Sequence, residues 1–110
     1  MAKGDSLGDF EQLVLIAILR LDDNAYGAAI RQELEDRAER IVTGGTVYAT
    51  LERLEEKGYV SSKQGDPLPE RGGRARTYFK VEATGMAALT QAVRAQKRML
   101  QGLRVLTDNS

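Results

Sequence analysis

A very short break separates two helical periodicities in this chain of 110 residues. Tyr26, Ile30 and Leu34 recur at i, i+4 and i+8, which puts three large apolar side chains on one face of a helix running from about Tyr26 to Glu39. Arg31, Glu35, Asp36 and Glu39 fall on its water side. Val47, Leu51 and Leu54 then recur at i, i+4 and i+7, after the helix-start signal Thr43-Gly44-Gly45-Thr46. Only the few residues around Arg40 to Thr43 lie between the two patterns, the length of a helix-turn-helix connection.

Upstream, Phe10, Leu13, Val14, Ile16, Ala17, Ile18 and Leu21 predict a helix capped by the Asp9 carboxylate, buried over most of its circumference and ended by Asp22-Asp23-Asn24. Downstream, Gly58 suits a left-handed C-cap for the helix of about residues 44–57. From Tyr59 the period changes. Tyr59 to Gln64 is rich in strand formers, and Thr77, Phe79 and Val81 alternate with Arg76, Tyr78 and Lys80. Residues 65–74 hold Pro67, Pro69 and Gly72-Gly73, which predicts a long hairpin loop. The last segment, residues 83–106, predicts a helix of about 24 residues, or roughly 36 Å. Met86, Leu89, Val93, Gln96, Leu100 and Leu103 follow alternating spacings of three and four along it, an a/d seam with one polar break. That seam outruns what a domain of about 80 residues covers, so a second copy is expected to cover it.

The expected fold class is mainly α with a small β hairpin: a winged helix-turn-helix plus a long C-terminal dimerisation helix. It divides into a flexible N-terminus at 1–8, the winged domain at 9–82, the dimerisation helix at 83–106 and a tail at 107–110. In such a fold the second helix of the motif enters the major groove, while the hairpin lies along the DNA backbone or minor groove. With Val47, Leu51 and Leu54 turned inward, Thr46, Ala49, Thr50 and Arg53 are expected to face outward. Gly44 and Gly45 would bring backbone N–H groups to a phosphate, and Arg53 suits a phosphate or a guanine. Tyr48 could give its hydroxyl to a phosphate or pack with its tip in water, and Thr46 serves equally as a helix-start residue. Arg71, Arg74 and Arg76 cluster around Gly72-Gly73, either as a solvated loop or as a wing held against DNA. The candidate DNA-binding set is therefore Gly45, Thr46, Tyr48, Ala49, Thr50, Arg53, Arg71, Arg74 and Arg76.

Charge bears on this in an uneven way. The chain carries 16 Lys+Arg and 16 Asp+Glu, a formal net charge of zero. Residues 1–56 hold 6 basic and 12 acidic side chains, residues 57–80 hold 6 and 2, and residues 81–110 hold 4 and 2. Positive charge thus gathers on the wing, where phosphate would lie, and neutrality implies weak non-specific affinity rather than no affinity. With no His and no Cys, the commonest catalytic base, zinc ligand and thiolate nucleophile are all missing. Gly44-Gly45-Thr46 also lacks the lysine of a phosphate-binding loop, so no enzymatic activity, catalytic residue, metal or cofactor is expected. The longest strongly apolar run, Leu13 to Leu19, is far short of the roughly 20 residues that span a bilayer. Met1 to Ser6 reads as no signal peptide, so no membrane contact and a cytoplasmic location are expected.

Ala25-Tyr26-Gly27, Gly45-Thr46-Val47-Tyr48, the run Leu51 to Val60 and Gly73-Arg74-Ala75-Arg76-Thr77-Tyr78-Phe79 together resemble the PadR-like family of bacterial transcriptional regulators. The resemblance spans about residues 8–90. It implies a homodimer on a two-fold symmetric double-stranded DNA operator, usually repression, and in some members release by a small ligand. Two departures stand out: Thr43-Gly44 occupies the place of the family's Ser-Pro, where Thr43 can still cap, and Glu82 that of a Thr at the start of the last helix, where its carboxylate is expected to serve the helix dipole and shift the cap. The lack of a long C-terminal extension suggests the short subgroup. In such a dimer the first and last helices would line an apolar cleft, with Phe10 and Leu13 as its candidate ligand contacts, although the same residues would serve as core and seam filling. The alternative function is a winged-helix module that binds protein rather than DNA; it would have no use for the arginine cluster.

Overall fold

The computed structural model describes residues 6–65 and 75–104. The elements are α1 (Asp9–Leu21), a single 3-10 turn at Asp22–Asn24, α2 (Gly27–Ala38), α3 (Gly44–Glu56), β1 (Val60–Gln64), β2 (Thr77–Val81) and α4 (Ala83–Leu100). This is the mainly helical winged helix-turn-helix that the two periodicities imply. Val14, Leu15 and Ile18 of α1 meet Ile30 and Leu34 of α2 and Val47, Leu51 and Leu54 of α3 in one core. The hairpin closes it with Tyr59, Val60, Phe79 and Val81. The strands pair antiparallel, Val60 opposite Val81 and Gln64 opposite Thr77. The segment before α2 joins the hairpin's free edge: the Phe79 N–H donates to the Ala25 carbonyl at 2.8 Å, and Tyr26 bridges to Tyr78.

Helix ends follow from local hydrogen bonding. Thr43 caps α3 by accepting from the Thr46 N–H at 3.1 Å, as its side chain suits it to do without the stiffening proline. At the other end Gly58 has φ +77°, the Tyr59 N–H reaches back to the Leu54 carbonyl and the Gly58 N–H to that of Glu55. That is a Schellman stop, and the buried Leu54 and Tyr59 supply its hydrophobic contact. α2 stops without a glycine: Glu39 takes φ +56° and turns the chain into the Arg40–Thr43 connection.

Three expectations are corrected. The cap of α1 is Gly8, not Asp9, because the Glu11 carboxylate reaches back to the Gly8 N–H at 2.9 Å. Asp9 instead pairs with Arg40 at 2.8 Å. Glu82 does precede α4, but its carboxylate accepts from the Ser61 hydroxyl rather than from the helix start. α4 is 18 residues, not 24: it ends at Leu100, and Gly102, at φ +85°, turns the chain away. Leu103 therefore lies beyond the helix, and residues 105–106 of the expected span lie outside the described residues.

Candidate nucleic-acid interface

At 100° per residue, the buried Val47, Thr50, Leu51 and Leu54 define one side of α3. The opposite stripe is Gly45, Ala49, Glu52 and Glu56, all exposed, flanked by Thr46 and Arg53 on one side and Tyr48 on the other. The N-terminal half of that stripe is nearly bare, which lets a backbone or a base edge approach closely. Thr50 is corrected from an outward reader to a buried residue, only 1% exposed. Its hydroxyl donates to the Thr46 carbonyl at 3.0 Å and accepts from the Arg53 guanidinium at 3.2 Å. Thr50 thus orients Arg53 from within.

Arg53 is also drawn toward a residue that the sequence reading passed over. Glu11, buried in α1, lies 3.6 Å from Arg53, and the Lys57 ammonium at the end of α3 donates to both of its oxygens at 3.0 and 3.1 Å. Lys57 further donates to the Ser6 carbonyl at 3.0 Å. Burial alone would raise the Glu11 pKa. The Gly8 N–H, the Lys57 hydrogen bond and the nearby Lys57 and Arg53 charges more than reverse that, and hold the carboxyl below its ordinary value. One buried carboxylate therefore fixes the C-terminal end of α3 to the start of α1. An acidic residue at the third position of a helix was the available signal.

The tyrosines have a similar logic. The Tyr48 ring stands edge-on to Phe79 with centroids 6.3 Å apart and lies across Gly27, where a Cβ would come within 2.5 Å of it. Gly27 is what permits that packing, while the Tyr48 side chain remains exposed at its outer edge. Tyr26 stands edge-on to Tyr78, and the Arg76 guanidinium sits 4.0 Å over the Tyr26 ring. Arg76 is therefore half-buried at the root of the wing. Lys63 and Lys80 are exposed on the strands. Arg71 and Arg74 lie outside the described residues, as does most of the 65–74 loop.

The seam residues part company. Leu89 is buried in the chain's own core and Val93 packs partly against it, whereas Met86, Gln96 and the neighbouring Met99 are exposed. Phe10 and Leu13 pack against the core, and Arg40 covers the Phe10 ring. The groove of about 710 Å³ between the end of α1 and the hairpin is lined by others, among them Leu19, Asp22, Lys63 and Lys80.

Residues 15–91 match the transcriptional regulator PadR-like family. The chain belongs to the PadR-like family. Members are DNA-binding transcriptional regulators and not enzymes. The chain is 38% identical over 78 residues to transcriptional regulator Rv3488 of Mycobacterium tuberculosis, covering 71% of itself and 68% of that relative. It is similar in structure to a PadR-like transcription factor from Bacteroides fragilis, with TM-score 0.69, 25% identity and 89% of each chain covered. A PadR family regulator from hypervirulent Clostridium difficile gives TM-score 0.65 and 26% identity, over 83% of this chain and 94% of that one. The PadR-like segment runs from the middle of α1 through the first half of α4, and so contains the whole of α3 and the hairpin. No helix among the described residues is long and apolar enough to cross a membrane.

Proposed function

We propose that this PadR-like chain acts as a homodimeric repressor on a two-fold symmetric operator, with α3 in the major groove and the 65–74 wing on the backbone or minor groove. The observation that carries the reading is the bare outer face of the N-terminal half of α3, Gly44, Gly45 and Ala49, set beside a hairpin whose charge is basic. Thr46, Tyr48 and Arg53 frame that surface, and Thr50 acts by holding Arg53. Dimerisation would use the outer part of α4, where Gln96, Met99 and Leu100 line a largely apolar hollow with Ala95. A small ligand in an inter-subunit cleft near Phe10 and Leu13 would release the operator by changing the distance between the two α3 helices.

Selection of bound DNA from a random pool, followed by a gel shift on the enriched sequence, tests the reading. The expected result is a palindrome with half-sites about 10 base pairs apart, bound far more tightly than a single half-site. Failure to enrich any sequence would overturn it in favour of a protein-binding winged helix.

A further inference from the structure

We propose that Glu52 reads a cytosine in each half-site of the operator, an inference that rests on α3 being the groove-entering helix. Glu52 stands on the stripe diametrically opposite the core, one turn beyond Ala49, so it is among the side chains projecting farthest from the body of the domain. Its cationic neighbours are engaged elsewhere: Arg53 and Lys57 turn back to Glu11. Glu55, three residues on, accepts from the Ser62 hydroxyl at 2.7 Å. Among the described residues Glu52 itself has neither ion pair nor hydrogen bond. An acidic side chain is an unfavourable choice near phosphates, and an uncommitted one gains only from a donor.

The floor of the major groove offers that donor. Cytosine presents the N4 amine there with no lone pair on its own edge, whereas adenine sets the N7 acceptor beside its N6 amine and guanine and thymine present acceptors. A carboxylate oxygen accepting from N4–H thus favours cytosine over the other three bases. Ala49 and Gly45 on the same stripe are too small to hold the helix away from the base edges.

The test is selection from a random pool with the full chain and its Glu52→Ala and Glu52→Gln variants. Melting temperatures should match, since Glu52 has no partner to lose. The wild type should enrich cytosine at one position per half-site, with a preference of about 10-fold. Glu52→Ala should lose that preference and keep the others. Glu52→Gln should move it toward adenine, whose N6 and N7 suit an amide. Both variants remove the same charge, so identical preferences with uniformly tighter binding would mean that Glu52 only repels phosphate, and would overturn the inference. Cytosine enrichment that persists in all three proteins would overturn it too. A wild type that enriches nothing would remove the operator reading itself.

Discussion

Glu11 shows how one charged side chain can be both buried and stabilising. Its carboxylate meets an ammonium, a guanidinium and a backbone N–H, so little of its bonding capacity is left unmet. Glu11→Gln would leave Lys57 facing a neutral amide, and is expected to cost about 1–3 kcal/mol at neutral pH. The folded-state pKa is lowered, so the stabilisation is complete above the unfolded value of about 4.3 and is lost as pH falls through the lower folded value. Denaturant melts of both proteins between pH 7 and pH 2 should show a gap that closes on acidification; a constant gap would mean that packing, not charge, is responsible. Thr50 marks the limit of reading faces from spacing. Its position borders the apolar stripe, and only the hydroxyl's bond to the Thr46 carbonyl lets a polar residue finish on the buried side.

Among the elements, α4 is fastened over its first half, by hydrogen bonds at its root and by Leu89 and Val93 against the core. The Thr84 hydroxyl donates to the Gly58 carbonyl at 2.6 Å, the Glu82 N–H donates to that of Tyr59 at 2.8 Å, and Gly85 lies against Tyr59. A Cβ at Gly85 would collide with the Tyr59 carbonyl and crowd Val81. Gly85→Ala is therefore expected to destabilise by about 1–3 kcal/mol in spite of alanine's higher helix propensity. A thermal melt checks it, and an unchanged or raised midpoint would contradict the close approach. The elements before α4 were largely legible, because their apolar spacing, the Thr43 cap and the Gly58 stop all agree. The end of α4 was not: the leucine spacing continues through Leu103, and the stop at Gly102 competes with it over a single residue. Leu89 has the same spacing as a seam residue, and periodicity does not say whether a face meets its own domain or another copy.

At the scale of the molecule, the described residues extend 54 Å along the longest axis and 21 Å along the shortest. The exposed Met99, at 79%, and the partly exposed Leu100 lie at the far end of α4, clear of the intramolecular core. Asp at both positions should turn a sedimenting dimer into a folded monomer, since neither side chain belongs to the core; a double variant still sedimenting as a dimer would move the interface elsewhere. Segment charges foreshadowed both the basic hairpin and the acidic last turn of α3; the structure adds that Glu52 and Glu56 share the stripe opposite the core.

The fastening of only the first half of α4 has a mechanical consequence for a dimer joined at its far end. Beyond Val93 the helix runs clear of the core for seven residues, about 10 Å, so a tilt of about 17° there displaces its tip by roughly 3 Å. That is close to the rise of one base pair, about 3.4 Å. In the proposed dimer, a change in the packing of Leu89 and Val93 would thus be carried to the tip of α4 and into the half-site spacing, and operator length would become a readout of a contact buried far from the DNA.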